Sequence, residues 1–125
     1  MAAMGGGESV LVVDDDDSLR LLCRVNLELD GYRVFEAASL GEARRLLAEH
    51  SVDVILLDCR LGDGDGRELL RELRSTGDRP PVALFTGSEV VEASDRSLAA
   101  GVIPKPFALE DLAATVASLS GRAGR

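Results

Sequence analysis

The feature that most restricts the fold is the run Val54-Ile55-Leu56-Leu57, which ends on Asp58 and leads into a loop carrying Gly62, Gly64 and Gly66. Amphipathic helices and half-exposed strands interrupt their apolar residues at regular intervals. An uninterrupted run of aliphatic residues fits a strand covered on both faces, as in a parallel sheet flanked by helices. Ligands of such sheets gather at the carboxyl ends of the strands. Asp58 stands where the buried run stops, so it leaves the core and faces a site. It is the leading candidate for chemistry.

The rest of the chain repeats this plan. A first strand, Val10–Val13, runs into Asp14-Asp15-Asp16-Asp17, and a first helix follows from about Ser18 to Asp30. Its inner stripe is expected to be Leu19, Leu22, Cys23 and Leu27, with Gly31 closing it as the residue after the C-cap. The second strand is Arg33–Ala37. Ser39 and Glu42 form a capping box that opens a second helix with Leu40, Ala43, Leu46 and Leu47 inward. After the third strand a helix starts near Asp65 or Gly66, buries Leu69, Leu70 and Leu73, and ends around Gly77. The fourth strand, Val82–Phe85, ends on Thr86-Gly87-Ser88. A weaker fourth helix is expected at roughly Val90 to Ala100. A short fifth strand, Val102-Ile103, precedes Pro104-Lys105-Pro106, and a last helix runs from about Leu109 to Leu119, with Leu109, Leu112, Ala113 and Val116 inward.

Five alternating strand–helix units with short connections imply an α/β fold, a doubly wound parallel sheet with helices on both faces. The flavodoxin-like strand order 2-1-3-4-5 is the usual solution at this length, and it sets the ends of strands one and three side by side. Asp14, Asp15 and Asp58 then share one small site, with Thr86 and Lys105 arriving from strands four and five. One domain is expected over residues 8–121, with residues 1–7 and 122–125 as loose tails.

Composition removes several function classes. The formal net charge is −8, the wrong sign for a surface that must neutralise phosphates, so direct nucleic-acid binding is not expected. No apolar run approaches a membrane span, and the start lacks the basic and apolar segments of a signal peptide. Cys23 and Cys59 belong to no Cys-x-x-Cys pair and are expected to be free thiols in a reducing cytoplasm. Of the 14 cationic residues only Lys105 is a lysine; an Arg bias accounts for that, or a compact ammonium is needed there.

Three converging carboxylates with no arginine beside them in sequence repel one another unless a cation sits among them. Hard oxygen ligands open on one side suit Mg²⁺, with Mn²⁺ as the alternative. The Thr86 hydroxyl and the Lys105 ammonium are what a phosphoryl group wants nearby. Asp58 can act as a nucleophile, because carboxylates form acyl phosphates.

Leu11-Val12-Val13-Asp14-Asp15, Leu56-Leu57-Asp58, Leu84-Phe85-Thr86-Gly87 and Pro104-Lys105-Pro106-Phe107 together resemble the receiver domain of two-component response regulators, over about residues 9 to 120. That resemblance implies a phosphorelay function. Asp58 would accept a phosphoryl group from a phosphohistidine on a sensor histidine kinase or a histidine phosphotransfer protein. Asp14, Asp15, Asp58 and the Arg60 backbone carbonyl would hold Mg²⁺, Asp14 largely through water. Thr86 and Lys105 would contact the phosphoryl group, and the Lys105–Pro106 bond would be cis. It implies further a cytoplasmic protein, no enzyme beyond its own phosphorylation and dephosphorylation, and scope for a homodimer on phosphorylation. Three features depart from the family pattern: Gly62 where proline is common, Val102 where an aromatic residue or histidine is usual, and a short interval from Thr86 to Lys105. They bear on the output surface, not on the phosphoryl chemistry.

Two other readings use the same residues. Asp14-Asp15-Asp16-Asp17-Ser18 also resembles the D-x-D-x-[TS] motif of haloacid dehalogenase-type phosphatases, with Asp14 as nucleophile and Asp16 as acid/base; that scheme leaves Asp58 without a role. A non-phosphorylated pseudo-receiver would act as a binding module, although every phosphorylation residue is present. Asp16 and Asp17 are expected only to favour the first helix's N-terminus. Asp63 and Asp65 are expected to shape a turn and cap the third helix, and His50 to place a favourable charge near the end of the second.

Overall fold

The computed structural model describes residues 7–77 and 79–121. Of the expected tails at 1–7 and 122–125, residues 1–6 and 122–125 lie outside the described residues. Among the described residues seven strands and five helices follow in order: β1 (Ser9–Val13), α1 (Asp17–Leu29), β2 (Arg33–Ala37), α2 (Leu40–Glu49), β3 (Val54–Asp58), β4 (Arg60–Leu61), β5 (Gly64–Asp65), α3 (Gly66–Ser75), β6 (Val82–Thr86), α4 (Ala93–Leu98), β7 (Gly101–Pro104) and α5 (Leu109–Ser120). The main sheet is parallel with order β2-β1-β3-β6-β7, which is the flavodoxin-like topology the sequence implied. The short antiparallel pair β4–β5, turning at Gly62-Asp63, was legible only as a loop.

The uninterrupted runs are buried because both sheet faces are covered. Leu11, Val13, Ile55, Leu57, Val82 and Leu84 face α2 and α3, while Val10, Val12, Val54, Leu56, Ala83, Phe85 and Ile103 face α1 and α5. Alternate residues of these runs feed opposite cores, so every position in them is apolar. Burying each Val, Leu, Ile or Phe among them contributes about 1.5–3 kcal/mol relative to exposure.

Side chains cap the first three helices, whereas α4 and α5 start without a side-chain cap. Asp16 caps α1 by accepting from the Ser18 and Leu19 amides, and Ser39 accepts from Glu42 at the start of α2. Asp65 caps α3 through the Arg67 amide. Asp63, expected to serve α3, instead accepts from the amides of Leu40 at 2.9 Å and Gly41 at 3.1 Å, capping α2 from the β4–β5 turn. Those two amide hydrogen bonds hold the Asp63 carboxyl below its ordinary range. His50 is the C-cap residue of α2, and its ring stacks on Phe35 with centroids 4.5 Å apart.

Three helices differ from expectation. In α1 the buried stripe is Cys23 and Leu27 with Leu19 partly covered, while Leu22 is 45% exposed. The (i, i+4) row 19-23-27 takes the core, which turns Leu21, Leu22, Val25 and Leu29 outward. The fourth helix is shorter than Val90 to Ala100: α4 covers only Ala93–Leu98. Its end is set by the sheet, because the Ala100 amide must bond Val82 O at 2.7 Å for β7 to begin. A charged clamp holds α4 alongside the partly buried Leu98: Arg71 of α3 binds the buried Asp95 carboxylate through two bonds of 2.9 and 2.8 Å. In α5, Leu112 and Val116 are buried, but Leu109 at its first position is exposed.

Candidate functional site

The carboxyl ends of β1 and β3 lie side by side because Val13 pairs with Leu57. The chain leaves each strand on a carboxylate. Asp14 is fully buried, Asp58 nearly so, and Asp15 is exposed. One carboxylate oxygen from each of the three can be chosen so that all lie within 4.8 Å of one another. Asp14 is fixed by its own turn, with its amide bonded to Ala37 O at 3.0 Å and its Oδ1 accepting from the Asp16 amide at 2.9 Å. Asp58 Oδ1 accepts from the Arg60 amide at 3.3 Å.

Lys105, the residue after β7, closes the site. Its Nζ donates to Asp14 Oδ2 at 2.8 Å and to Asp58 Oδ2 at 3.1 Å. The carboxylates are thus not left without a cation, as their sequence neighbours implied; the partner comes from 47 residues beyond Asp58. The ammonium also lies 5.5 Å from the Phe85 ring centroid. Burial by itself would lower the Lys105 pKa, but hydrogen bonds and charge from Asp14 and Asp58 outweigh it and hold the ammonium above its ordinary value. Asp58 moves the other way from a stabilised carboxylate: burial, then the Asp14 charge, push it up despite the Arg60 amide and Lys105. A pocket that still disfavours carboxylate charge while holding a lysine has room for more positive charge.

Thr86 is the last residue of β6 and is buried, and its carbonyl accepts from the Lys105 amide at 2.7 Å, which ties the two strand ends together. The Lys105–Pro106 bond is cis. Arg60 lies in β4, so its backbone borders Asp58 while its side chain extends into solvent. Asp16 is occupied as the α1 cap and Asp17 pairs with Arg20, so neither joins the site.

Three contributors had weak sequence signals. Arg20, one turn into α1, donates to Asp14 O at 2.6 Å and also meets Glu36, bracing the acidic turn from behind. Phe85 underlies the ammonium. Glu89, in the loop after β6, touches Gly87 and Arg60. Cys59, next to Asp58, is buried and its thiol is pushed up to about 11, as burial pushes Cys23 up to about 12; both are free. Thiols so protonated are poor nucleophiles.

An acidic cluster at the ends of the first and third strands, facing a threonine and a lysine from the next two, defines a class, and the family model described as the response regulator receiver domain matches residues 10–117. The chain belongs to that family and is a receiver domain of two-component signalling. Response regulator MprA of Mycobacterium sp. (strain KMS) is 40% identical over 116 residues, covering 90% of this chain and 50% of that protein. MprA of Mycobacterium avium (strain 104) is likewise 40% identical, with 51% of its length covered. The chain therefore spans about half the length of these curated relatives. Among solved structures, the Francisella response regulator 1452 receiver domain superposes with a TM-score of 0.84 at 26% identity, covering 94% of this chain and 99% of that one. The response regulator receiver domain from Clostridium thermocellum gives 0.83 at 25% identity, covering 94% and 97%. No helix among the described residues is long and apolar enough to cross a membrane.

Proposed function

We propose that this receiver domain accepts a phosphoryl group on Asp58 from the phosphohistidine of a sensor histidine kinase or histidine phosphotransfer protein, in the cytoplasm. The observation that carries the reading is the Asp14–Asp15–Asp58 cluster with Lys105 bridging its two buried members. In the transfer an Asp58 carboxylate oxygen forms a bond to phosphorus while the phosphorus–nitrogen bond of the donor breaks, its electron pair returning to the imidazole ring. Asp14, Asp15, Asp58 and the Arg60 carbonyl would hold Mg²⁺ or Mn²⁺; the all-oxygen donor set, buried on one side and open at Asp15, fits such an ion. Bound there, the ion would offset charge developing on the phosphoryl oxygens. Lys105, relieved of one carboxylate in that state, would turn to those oxygens, and the Thr86 hydroxyl would donate to another.

Incubation with acetyl phosphate and Mg²⁺, followed by intact-mass measurement, should add one phosphoryl group to the wild type and none to Asp58→Asn. Label that persists in Asp58→Asn but disappears in Asp14→Asn would instead support the dehalogenase-type phosphatase. The position of Asp16, engaged as a helix cap, does not favour that alternative.

Partner contacts are proposed for the α1 face beside the Asp58 loop, where Leu21, Leu22, Val25 and Leu29 are exposed. The face around β7 is a poorer candidate for output. Val102 pairs with Leu84 inside the sheet, and its short β-branched side chain cannot sweep the volume of a ring between two packings. Phe85 cannot substitute, because it belongs to the opposite core. Amide exchange with and without beryllofluoride and Mg²⁺ should therefore change most across residues 59–66 and the loop after Thr86. Equal changes across residues 90–112 would refute a local response.

A further inference from the structure

Glu89 lies three residues past Thr86 in the loop between β6 and α4, yet its side chain is only 10% exposed. Its Oε1 accepts from the Gly87 amide at 2.5 Å, and its Oε2 lies 3.4 Å from Arg60 Nε. Arg60 in turn gives its own amide to Asp58 Oδ1. The links Asp58–Arg60–Glu89–Gly87 thus join the two walls of the site, one at the end of β3 and one at the end of β6. Gly87 follows Thr86 on the strand in which Phe85 stands in register with Asp58. Its amide is a donor at a strand end beside the phosphoacceptor, the place where an anion is bound by backbone N–H groups. The chain's own carboxylate already fills it, and a Cβ on Gly87 would lie 3.7 and 3.8 Å from the two Glu89 oxygens, so the carboxylate sits over this residue.

We propose that Glu89 is a gate for the phosphoryl group: an internal anion that holds the Gly87 amide and the Arg60 guanidinium until the phosphoryl group on Asp58 displaces it. The inference rests on Asp58 being the phosphoacceptor. Two anions cannot share one amide donor, and an anionic donor approaching Asp58 meets the Glu89 charge as well as the three aspartates. Phosphorylation therefore requires Glu89 to swing out, carrying the loop after β6 with it. Before phosphorylation, the same contact slows small anionic donors in particular.

The test compares wild type with Glu89→Gln, which keeps shape without charge, and Glu89→Ala, which removes the acceptor. Two measurements are made on each: the rate of Asp58 labelling by acetyl phosphate with Mg²⁺, and the Gly87 amide resonance in ¹⁵N-labelled protein with and without beryllofluoride. In the wild type the free-state Gly87 proton should be far downfield and should move on adding beryllofluoride. In Glu89→Ala the downfield position should be lost, and labelling should rise about tenfold, the factor that corresponds to one competing charge-assisted hydrogen bond. Glu89→Gln should label faster than wild type as well. Labelling rates equal to wild type in both variants, with wild type labelled on Asp58, would overturn the gate and leave the phosphoacceptor reading intact. No label on wild-type Asp58, in protein whose Gly87 resonance reports a folded site, would overturn both.

Discussion

Replacing Lys105 with Met should lower the melting temperature in metal-free buffer by about 8 °C, and Mg²⁺ should recover most of that loss. The ammonium is the neutralising partner the structure shows between the Asp14 and Asp58 carboxylates, at 2.8 and 3.1 Å. Without it, a fully buried carboxylate faces another whose ionised form burial and Asp14 already disfavour. Breaking a buried pair from one side costs about 3–5 kcal/mol. Lys105 is 27% exposed, so solvent screening brings the expectation down to about 2 kcal/mol. For a domain of this size each kcal/mol is worth about 4 °C. Wild type at a Mg²⁺ concentration one hundred times the dissociation constant should gain about 2.7 kcal/mol, because the ion would bind only the folded site. The gain should be larger in Lys105→Met, where the ion takes over the missing charge, and should vanish in Asp15→Asn. Calorimetric scans in EDTA and in Mg²⁺ read all of these. An unchanged melting temperature for Lys105→Met in EDTA would show that the ammonium does not hold the site together.

Gly66→Ala should cost at least about 3 kcal/mol, beyond the usual range for overpacking, because the obstacle is backbone. A Cβ at Gly66 would stand 2.0 Å from the Asp58 carbonyl oxygen and 3.2 Å from Leu57 Cγ. Neither can step aside: Asp58 ends a central strand, and the Gly66 amide is itself bonded to Cys59 O at 2.9 Å. The helix start must withdraw, which pulls on the Asp58 peptide. Urea unfolding should therefore show a lower midpoint, and phosphorylation by acetyl phosphate should slow in the fraction that stays folded. Gly62→Ala is the control, since a Cβ there meets nothing within 4 Å and should change stability by less than about 0.5 kcal/mol. Equal midpoints for the two variants would mean that α3 is free to move relative to Asp58.

The site was legible to the extent that its chemistry is local. Continuous apolar runs at Val10–Val13, Val54–Leu57 and Val82–Phe85 announce strands covered on both sides, since any polar residue there would face a core. Each run stops on the residue that leaves the sheet, which is why Asp14, Asp58 and Thr86 could be picked out, and alternating helices force the parallel order that brings the first two together. Residue type and period carry that much. What the sequence could not supply depends on register between distant segments. Lys105 binds both buried aspartates only because β7 ends level with Thr86. Asp63 caps a helix that begins 23 residues earlier because the β4–β5 turn projects over it. Which side of α1 faces the sheet, Leu19-Cys23-Leu27 and not Leu22, follows from how the helix is rolled on the strands, because several apolar residues offered competing stripes. The length of α4 was settled by the backbone bond that starts β7, and the need for glycine at position 66 by a carbonyl oxygen that only the folded chain brings within reach.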